Sequence, residues 1–207
     1  MPKLLHIQSS PRGERSASIE VAKQFIQTYQ ASNCGDTVET LDLWEATIPE
    51  FNGETIDAKY AVLHGQSQTP VQIAAWNEVV KICDHFKSAD KFVLSLPMWN
   101  FSIPYKLKHY LDILAQPGLT FSFTPEEGYK GLVTGKPLVV IYARGGAYAP
   151  GTGAEGYDQQ STYIKQFFGF IGFTDIREIF VEPTLSPTKD EAIAAAKVVA
   201  AAAASKL

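Results

Sequence analysis

Five short strand-like segments recur along this chain, and stretches with helical periodicity separate them. Most of the five are continuously apolar, which is typical of strands that helices cover on both faces of a parallel sheet. The segments are residues 3–8, 37–43, 91–97, 136–146 and 174–182. The chain therefore predicts an α/β fold, a three-layer sandwich with a five-stranded parallel sheet.

Apolar residues at helical spacing occupy the segments between these strands. In residues 70–86, Pro70 marks the helix start, and the pattern predicts that Ile73, Trp76, Val80 and Cys83 are buried. Further helices are predicted over residues 17–29, 55–65, 104–115, 158–172 and 188–207. Thr188 and Glu191 have the spacing of a capping box. The pair of segments at 118–124 and 126–136 is predicted to form a small β excursion on the surface.

Length and composition narrow the class of protein. The 207 residues show no internal repeat and fit a single domain over 1–207. A net charge of -4 argues against non-specific nucleic-acid binding. Cys34 and Cys83 match no metal-site spacing, so we expect two reduced thiols and no metal. No apolar run approaches membrane-spanning length, and the N-terminal stretch is a strand pattern rather than a signal peptide, so we expect a cytoplasmic location with no membrane contact. The C-terminal "SKL" leaves a peroxisomal address as the minor alternative.

Five strands favour the order 2-1-3-4-5, which places the loops after the first, third and fourth strands side by side. The first loop, residues 9–18, offers the hydroxyls of Ser10, Ser16 and Ser18 beside the amides of a helix N-terminus. This combination suits a phosphate, although a serine cap after a polar turn has the same pattern. The loop is neither a Walker A motif nor a G-x-G-x-x-G motif.

The second and third loops offer an apolar wall and a flexible backbone. After Pro97, Met98, Trp99 and Phe101 supply flat or soft apolar surface, and Asn100 can donate and accept hydrogen bonds. This set fits a planar heterocycle with one polar edge, such as a flavin, although aromatic side chains in a loop can also simply complete the core. In the third loop, two successive glycines at 145–146 let backbone N–H groups approach a ligand closely.

Four segments resemble the FMN-dependent NADH azoreductases, also called NAD(P)H:quinone reductases, of the flavodoxin-like superfamily. They are "PMWNF", "SSPRGERSAS", "ARGGAY" and "PGLTFSFTPEEGYKGLVTGK", and the similarity extends over nearly the whole chain. The resemblance implies bound FMN. Its phosphate would contact Ser10, Ser16, Ala17 and Ser18, and its ring would lie between two groups: Pro97, Met98, Trp99, Asn100 and Phe101 on one side, and Ala143, Arg144, Gly145 and Gly146 on the other. Ala143 departs from the family's usual serine, and Ala17 stands where a polar residue is frequent.

The resemblance also implies an activity and an assembly. NADH or NADPH would reduce the flavin, and a quinone or an aromatic azo compound would then take up two electrons, in a ping-pong scheme that needs no catalytic side chain. The family implies a homodimer, in which Phe121 is our candidate for the partner residue that covers the site. Two alternatives stay open: a flavodoxin-type electron carrier without its own NAD(P)H oxidation, and a protein that kept the fold and lost the cofactor. The residues do not distinguish NADH from NADPH or one acceptor from another.

Overall fold

The computed structural model describes residues 1–207. Its strands are β1 (Lys3–Gln8), β2 (Thr37–Asp42), β3 (Lys91–Pro97), β4 (Phe121–Thr124), β5 (Gly128–Gly131), β6 (Pro137–Ala143) and β7 (Asp175–Val181). Five of them form one sheet in the order β2-β1-β3-β6-β7, and every neighbouring pair is parallel. Counted along the main sheet, this is the order 2-1-3-4-5, so the predicted topology is confirmed.

Helices cover both faces of this sheet. They are α1 (Ala17–Ser32), α2 (Gly53–Leu63), α3 (Pro70–Lys87), α4 (Tyr105–Leu114), α5 (Gln159–Ile171) and α6 (Lys189–Ala204). Alternate residues of β3 enter two separate cores: Phe92 and Leu94 belong to the core under α3, α4 and α5, and Val93 belongs to the core under α1 and α6. This alternation is the strand periodicity of two, with both faces buried, and it gives the three layers.

The alanine-rich end of the chain has a packing reason. Ala196, Ala200 and Ala204 are buried, recur at every fourth position of α6 and face the core shared with α1. Side chains at this spacing lie on one helix face. Small side chains on that face let α6 pack closely against its neighbours.

Two details of the helix predictions are wrong. In α3 the buried face contains Trp76, Val79 and Cys83, whereas Ile73 is 45% exposed and Val80 is only half-buried. The core contacts a stripe that starts one turn later than the apolar spacing indicates. The capping box at Thr188 does not form, because Thr188 makes no side-chain cap hydrogen bond. A capping box forms instead at the start of α3, between Thr69 and Gln72.

The predicted β excursion is an antiparallel hairpin of β4 and β5. It meets the end of α5 at a place where only glycine fits. A Cβ on Gly131 would lie 2.3 Å from the backbone nitrogen of Gly172, and Gly172 itself ends α5 in the left-handed conformation, with φ of 119°. No helix of the chain combines the length and the apolar character that crossing a membrane requires.

Candidate active site

The three loops that follow β1, β3 and β6 meet at the carboxyl edge of the sheet. They surround a cavity of about 270 Å³. Its lining is Ser10, Arg12, Arg15, Ser16, Ala17, Pro97, Met98, Trp99, Ala143, Gly145, Thr184, Leu185 and Lys189. Met98 N in the second loop donates to Ala143 O at the end of β6 at 2.8 Å, and Leu185 N in the segment after β7 donates to Gly145 O in the third loop at 3.1 Å. The juxtaposition expected from the strand order is therefore present.

The first loop presents an uncapped helix N-terminus to this cavity. Ser16 occupies the N-cap position of α1, but its side chain makes no cap hydrogen bond and lies 3.1 Å from the hydroxyl of Ser18. Hydrogen bonding within α1 begins with Glu20 N to Ser16 O, so the first-turn N–H groups before it have no backbone acceptor. Donors arranged in this way bind anions. The alternative of an ordinary serine cap is not what the geometry shows.

Three cations line the same cavity, and the sequence interpretation missed them. Arg12 and Arg15 come from the first loop, and Lys189 comes from the start of α6. None of the three forms an ion pair within the chain, whereas their neighbour Glu14 pairs with Lys23. Two arginines between the serines were visible in the sequence, but nothing local connects Lys189 to this loop.

The second loop contains a strained turn. Trp99 N donates to Ser102 O at 3.0 Å and Ser102 N donates to Trp99 O at 2.9 Å, while Asn100 and Phe101 between them have φ of 46° and 68°. Positive φ at both central positions is typical of a type I′ turn, in which the second position is usually glycine. A phenylalanine there costs on the order of 1–3 kcal/mol, and strain of this kind concentrates at functional sites.

Trp99 packs against two other aromatic side chains and also lines the cavity. Its ring lies 5.9 Å from the ring of Trp44 and 6.1 Å from that of Tyr105. Trp44 is fixed in turn by a hydrogen bond from Nε1 to Ser9 O at 2.9 Å. Trp99 therefore both completes a small aromatic cluster and forms a flat wall of the cavity. The loop interpretation missed Trp44 and Tyr105, because they belong to other segments.

A second cavity, of about 460 Å³, adjoins the same tryptophan. Trp99, Asn100, Ser102, Ile103, Tyr105, Lys108 and Tyr163 line it. Because Trp99 lines both cavities, they meet at its side chain. Phe101 is 47% exposed beside this region and packs on Tyr157 at 5.2 Å.

The third loop contributes backbone to the cavity. A Cβ on Gly145 would lie 2.8 Å from Leu185 Cδ1, so the glycine permits the close approach of the segment after β7. The N–H groups of Gly145 and Gly146 have no acceptor within the chain. Gly146 does not line the cavity, although it follows Gly145 directly.

Arg144 points its side chain away from the cavity. The residue is 2% exposed, and its Nη2 lies 2.8 Å from Asp158 Oδ2 while its Nε donates to Gln160 Oε1 at 3.0 Å. Its guanidinium also lies 4.4 Å from the ring centre of Phe180. Desolvation raises the pKa of Asp158, but hydrogen bonds from Ser161 and the charge of Arg144 hold that pKa below its ordinary value. The arginine thus stiffens the loop, and it does not line the cavity, although its neighbours Ala143 and Gly145 do.

Three further predicted residues, Phe101, Ser18 and Phe121, line neither cavity, and Asn100 lines only the second one. Ser18 is fully buried behind Ser16. Phe121 lies in the β4–β5 hairpin, where it packs on Phe170 at 4.7 Å and on Tyr129 at 6.0 Å, and it lines neither cavity.

The fold and this edge of the sheet define a class of protein, and comparisons with known proteins agree. Residues 2–204 match the family described as having a flavodoxin-like fold. The chain is 53% identical over 192 residues to an FMN-dependent NADH:quinone oxidoreductase of Nitratidesulfovibrio vulgaris (strain DP4), with 93% of this chain and 91% of the relative covered. It is 49% identical over 209 residues to the protein of the same name from Desulfotalea psychrophila, with 100% and 98% covered.

Solved structures give the same result. An azoreductase from Bacillus anthracis str. Sterne superposes with a TM-score of 0.92 at 30% identity, with 100% of both chains covered. An FMN-dependent NADH-azoreductase from Bacillus anthracis str. Ames Ancestor, solved in complex with FMN, superposes with a TM-score of 0.89 at 30% identity, with 100% of this chain and 99% of that chain covered. The chain therefore belongs to the family of FMN-dependent NADH:quinone oxidoreductases and azoreductases, and the predicted family is confirmed.

Proposed function

We propose that this protein is an FMN-dependent NADH:quinone oxidoreductase that also cleaves aromatic azo compounds reductively. The observation that supports this most directly is the cavity at the carboxyl edge of the sheet. Its lining combines the N-terminus of an uncapped helix, three cations that form no ion pair, and the flat side chain of Trp99. An anionic tail and a planar ring on one molecule match these two kinds of lining.

The residues present fit FMN at this edge. In our proposal the phosphate contacts Ser10, Ser16 and the first-turn amides of Ala17 and Ser18, with Arg12, Arg15 and Lys189 supplying positive charge. The ring lies among the predicted residues Pro97, Met98, Trp99, Asn100, Phe101, Ala143, Arg144, Gly145 and Gly146. When bound, FMN would supply the redox chemistry, the transfer of two electrons from the nicotinamide to the acceptor in each round, and azo cleavage would need two rounds.

In this proposal the protein's own side chains and backbone bind and orient the flavin. Trp99 presents apolar surface that excludes water from one side of the site, and the free N–H groups of Gly145 and Gly146 are available to a polar ring edge. Arg144, which is buried and paired with Asp158, keeps the third loop in place. The adjoining cavity beside Trp99 and Tyr105 gives a flat acceptor room to approach.

The assembly and the location are further parts of the proposal. We infer a homodimer, because the hairpin and the end of α5 display an apolar surface around the half-buried Phe121. On it Phe123 is 57% exposed, Tyr129 is 67% exposed and Phe170 of α5 is 37% exposed. Sedimentation velocity on wild type and Phe121→Ala tests this: a monomer in both contradicts it. We also propose that residues 1–207 form one domain and act in the cytoplasm, where two free thiols stay reduced. Cell fractionation tests the location.

The activity is tested with the purified protein under anaerobic conditions. We expect a yellow preparation that oxidises NADH when menadione or methyl red is supplied, with NADPH as a parallel arm. Trp99→Ala should lower turnover with both acceptors, and Tyr60→Ala, which removes an aromatic side chain 52% exposed on α2, is the matched control. A flavodoxin-type carrier would bind FMN without oxidising NADH, and a colourless protein that ignores added FMN would contradict both interpretations.

A further inference from the structure

The segment that follows β7 reaches the cavity at the carboxyl edge of the sheet. Thr184, Leu185 and Lys189 are part of the cavity lining, although β7 is the outermost strand on its side of the sheet. This segment is not one of the three loops expected from the strand order, and it lies outside the four segments that resemble the family's motifs. Lys189 has a place in the proposed function, but Leu185 has none.

Hydrogen bonds hold this segment against the third loop. Thr184 N and Thr184 Oγ1 donate to Arg144 O at 2.8 Å and 2.9 Å, and Leu185 N donates to Gly145 O at 3.1 Å. Arg144 itself is buried and paired with Asp158. The fold alone therefore fixes the place of Leu185 at the cavity, and no ordering of its backbone is needed when a ligand enters.

The side chain of Leu185 is almost fully exposed at this fixed position. Its exposure of 88% is higher than that of any other large apolar residue except Met1. A leucine stabilises a fold to the extent that it is buried, so this one contributes almost nothing to folding. It lies against Gly145, because a Cβ on that glycine would come within 2.8 Å of Leu185 Cδ1. The leucine thus stands beside the third loop with its apolar surface uncovered.

The surroundings of this leucine distinguish it from the single exposed apolar residues that are common on protein surfaces. It shares the cavity lining with Met98 and Trp99, which supply apolar surface, and with the cations that suit a phosphate. An alkyl side chain has no donor for a phosphate and gains free energy only by packing against other uncharged groups.

FMN offers such groups in its ring and its ribityl chain. We propose that Leu185 packs against this uncharged part of the bound flavin and shields it from water. The leucine is then an apolar contact of the cofactor that comes from a fourth segment of the chain. This inference rests on the proposed function, because it takes FMN as the ligand of the cavity.

The test compares two flavins that differ only in the phosphate. FMN and riboflavin share the ring and the ribityl chain, and equilibrium dialysis of the full-length protein against each of them gives the two affinities. We expect Leu185→Ala to weaken the binding of both flavins by the same factor of about ten, because the loss of about two buried methylene groups has that effect. Lys189→Gln should weaken the binding of FMN alone. Leu185→Met, which keeps an apolar side chain of similar size, should restore most of the affinity for both flavins.

Val198→Ala is the matched control. Val198 is an aliphatic residue of α6 that is 71% exposed and lines neither cavity of the active site. This variant should bind both flavins as wild type does. Thermal unfolding checks that every variant is folded.

The outcomes separate this inference from the proposed function. Wild-type affinity of Leu185→Ala for both flavins would overturn the inference and leave the proposed function standing, and a loss confined to FMN would place the leucine at the phosphate and overturn it too. A wild type that binds neither flavin would contradict both. If riboflavin binds too weakly to be measured, FMN in high salt decides: the factor for Leu185→Ala should stay constant, and a factor that shrinks would indicate a charge effect and overturn the inference.

Discussion

His6 gives this protein a specific sensitivity to acid. It lies in β1, between β2 and β3 in the sheet, and is 2% exposed. Its partners are hydroxyl groups: Nε2 lies 2.9 Å from Ser95 Oγ and Nδ1 lies 3.5 Å from Thr40 Oγ1. With no carboxylate partner, burial lowers the pKa of His6 from 6.5 to about 4.

The sign and the size of the effect follow from proton binding. Between pH 6.5 and pH 4 the unfolded chain protonates this histidine and the folded chain does not, so the folded state loses stability as the pH falls through that window. Above pH 6.5 both states are neutral, and well below pH 4 both are charged, so the contribution of His6 is flat on either side. A pKa difference of about 2.5 units corresponds to roughly 3 kcal/mol. That is a large part of the total stability of about 5–15 kcal/mol that is typical of a protein domain.

The measurement compares urea unfolding of wild type and His6→Gln at several values between pH 7.5 and pH 4, with the same FMN concentration throughout. Glutamine keeps an amide that can bond to Ser95 and cannot take up a proton in this range. We expect the variant to be less stable than wild type at pH 7.5 and to gain roughly 3 kcal/mol on it by pH 4. His64→Gln controls for the removal of an exposed histidine. Parallel pH profiles for wild type and His6→Gln would refute the reasoning, because the histidine would then titrate alike in both states.

Three other substitutions test the packing and the site. Lys189→Gln should weaken FMN binding about tenfold, because one charge-assisted contact is lost, and the difference should be smaller in high salt. Flavin fluorescence during dialysis measures the retained FMN, and equal retention by the variant and wild type would contradict the role of Lys189. Gly131→Ala should lower the free energy of unfolding in urea by about 3 kcal/mol, because the new Cβ meets the backbone of Gly172. The control Gly169→Ala has open space and should raise that free energy by about 0.5–1 kcal/mol, and similar effects of both substitutions would contradict the steric argument. Phe101→Gly should raise the free energy of unfolding by about 1 kcal/mol, because glycine adopts a positive φ without strain, and it should also lower turnover with menadione. A loss of stability would show that the turn is not strained.

The sheet was predictable because its signal is local and repeated. Each apolar strand identifies itself within about seven residues, and the order of five such strands follows from the few topologies that parallel connections allow. Which face of α3 is buried was not predictable, because Ile73 and Val79 are equally apolar and only the elements that pack against the helix decide which of them is covered. Trp44 and Lys189 were missed for a related reason. They reach the site from segments whose own sequence contains no binding motif, so only the assembled fold reveals them.

Arg144 lies in a segment that resembles a binding motif, but its side chain packs elsewhere. The family resemblance implied a place for it at the ring edge, but a guanidinium has five donors and needs acceptors when it is buried. Asp158 and Gln160, which begin α5, and Glu182, which follows β7, provide them, so the side chain turns toward that face. The sequence contains all of these acceptors, but their distance from Arg144 depends on how α5 and β7 pack, which no local pattern specifies.

The departures from local structural rules in this chain occur close together. Ser16 stands at a cap position without capping, Phe101 adopts a conformation that suits glycine, and the amides of Gly145 and Gly146 lack acceptors. They are far apart in sequence, and the strand order brings them to one edge of the sheet. Folding stability alone would favour a capped serine, a glycine in the turn and paired amides. Their coincidence at the edge of the sheet that surrounds the cavity is therefore best explained by a ligand that binds there.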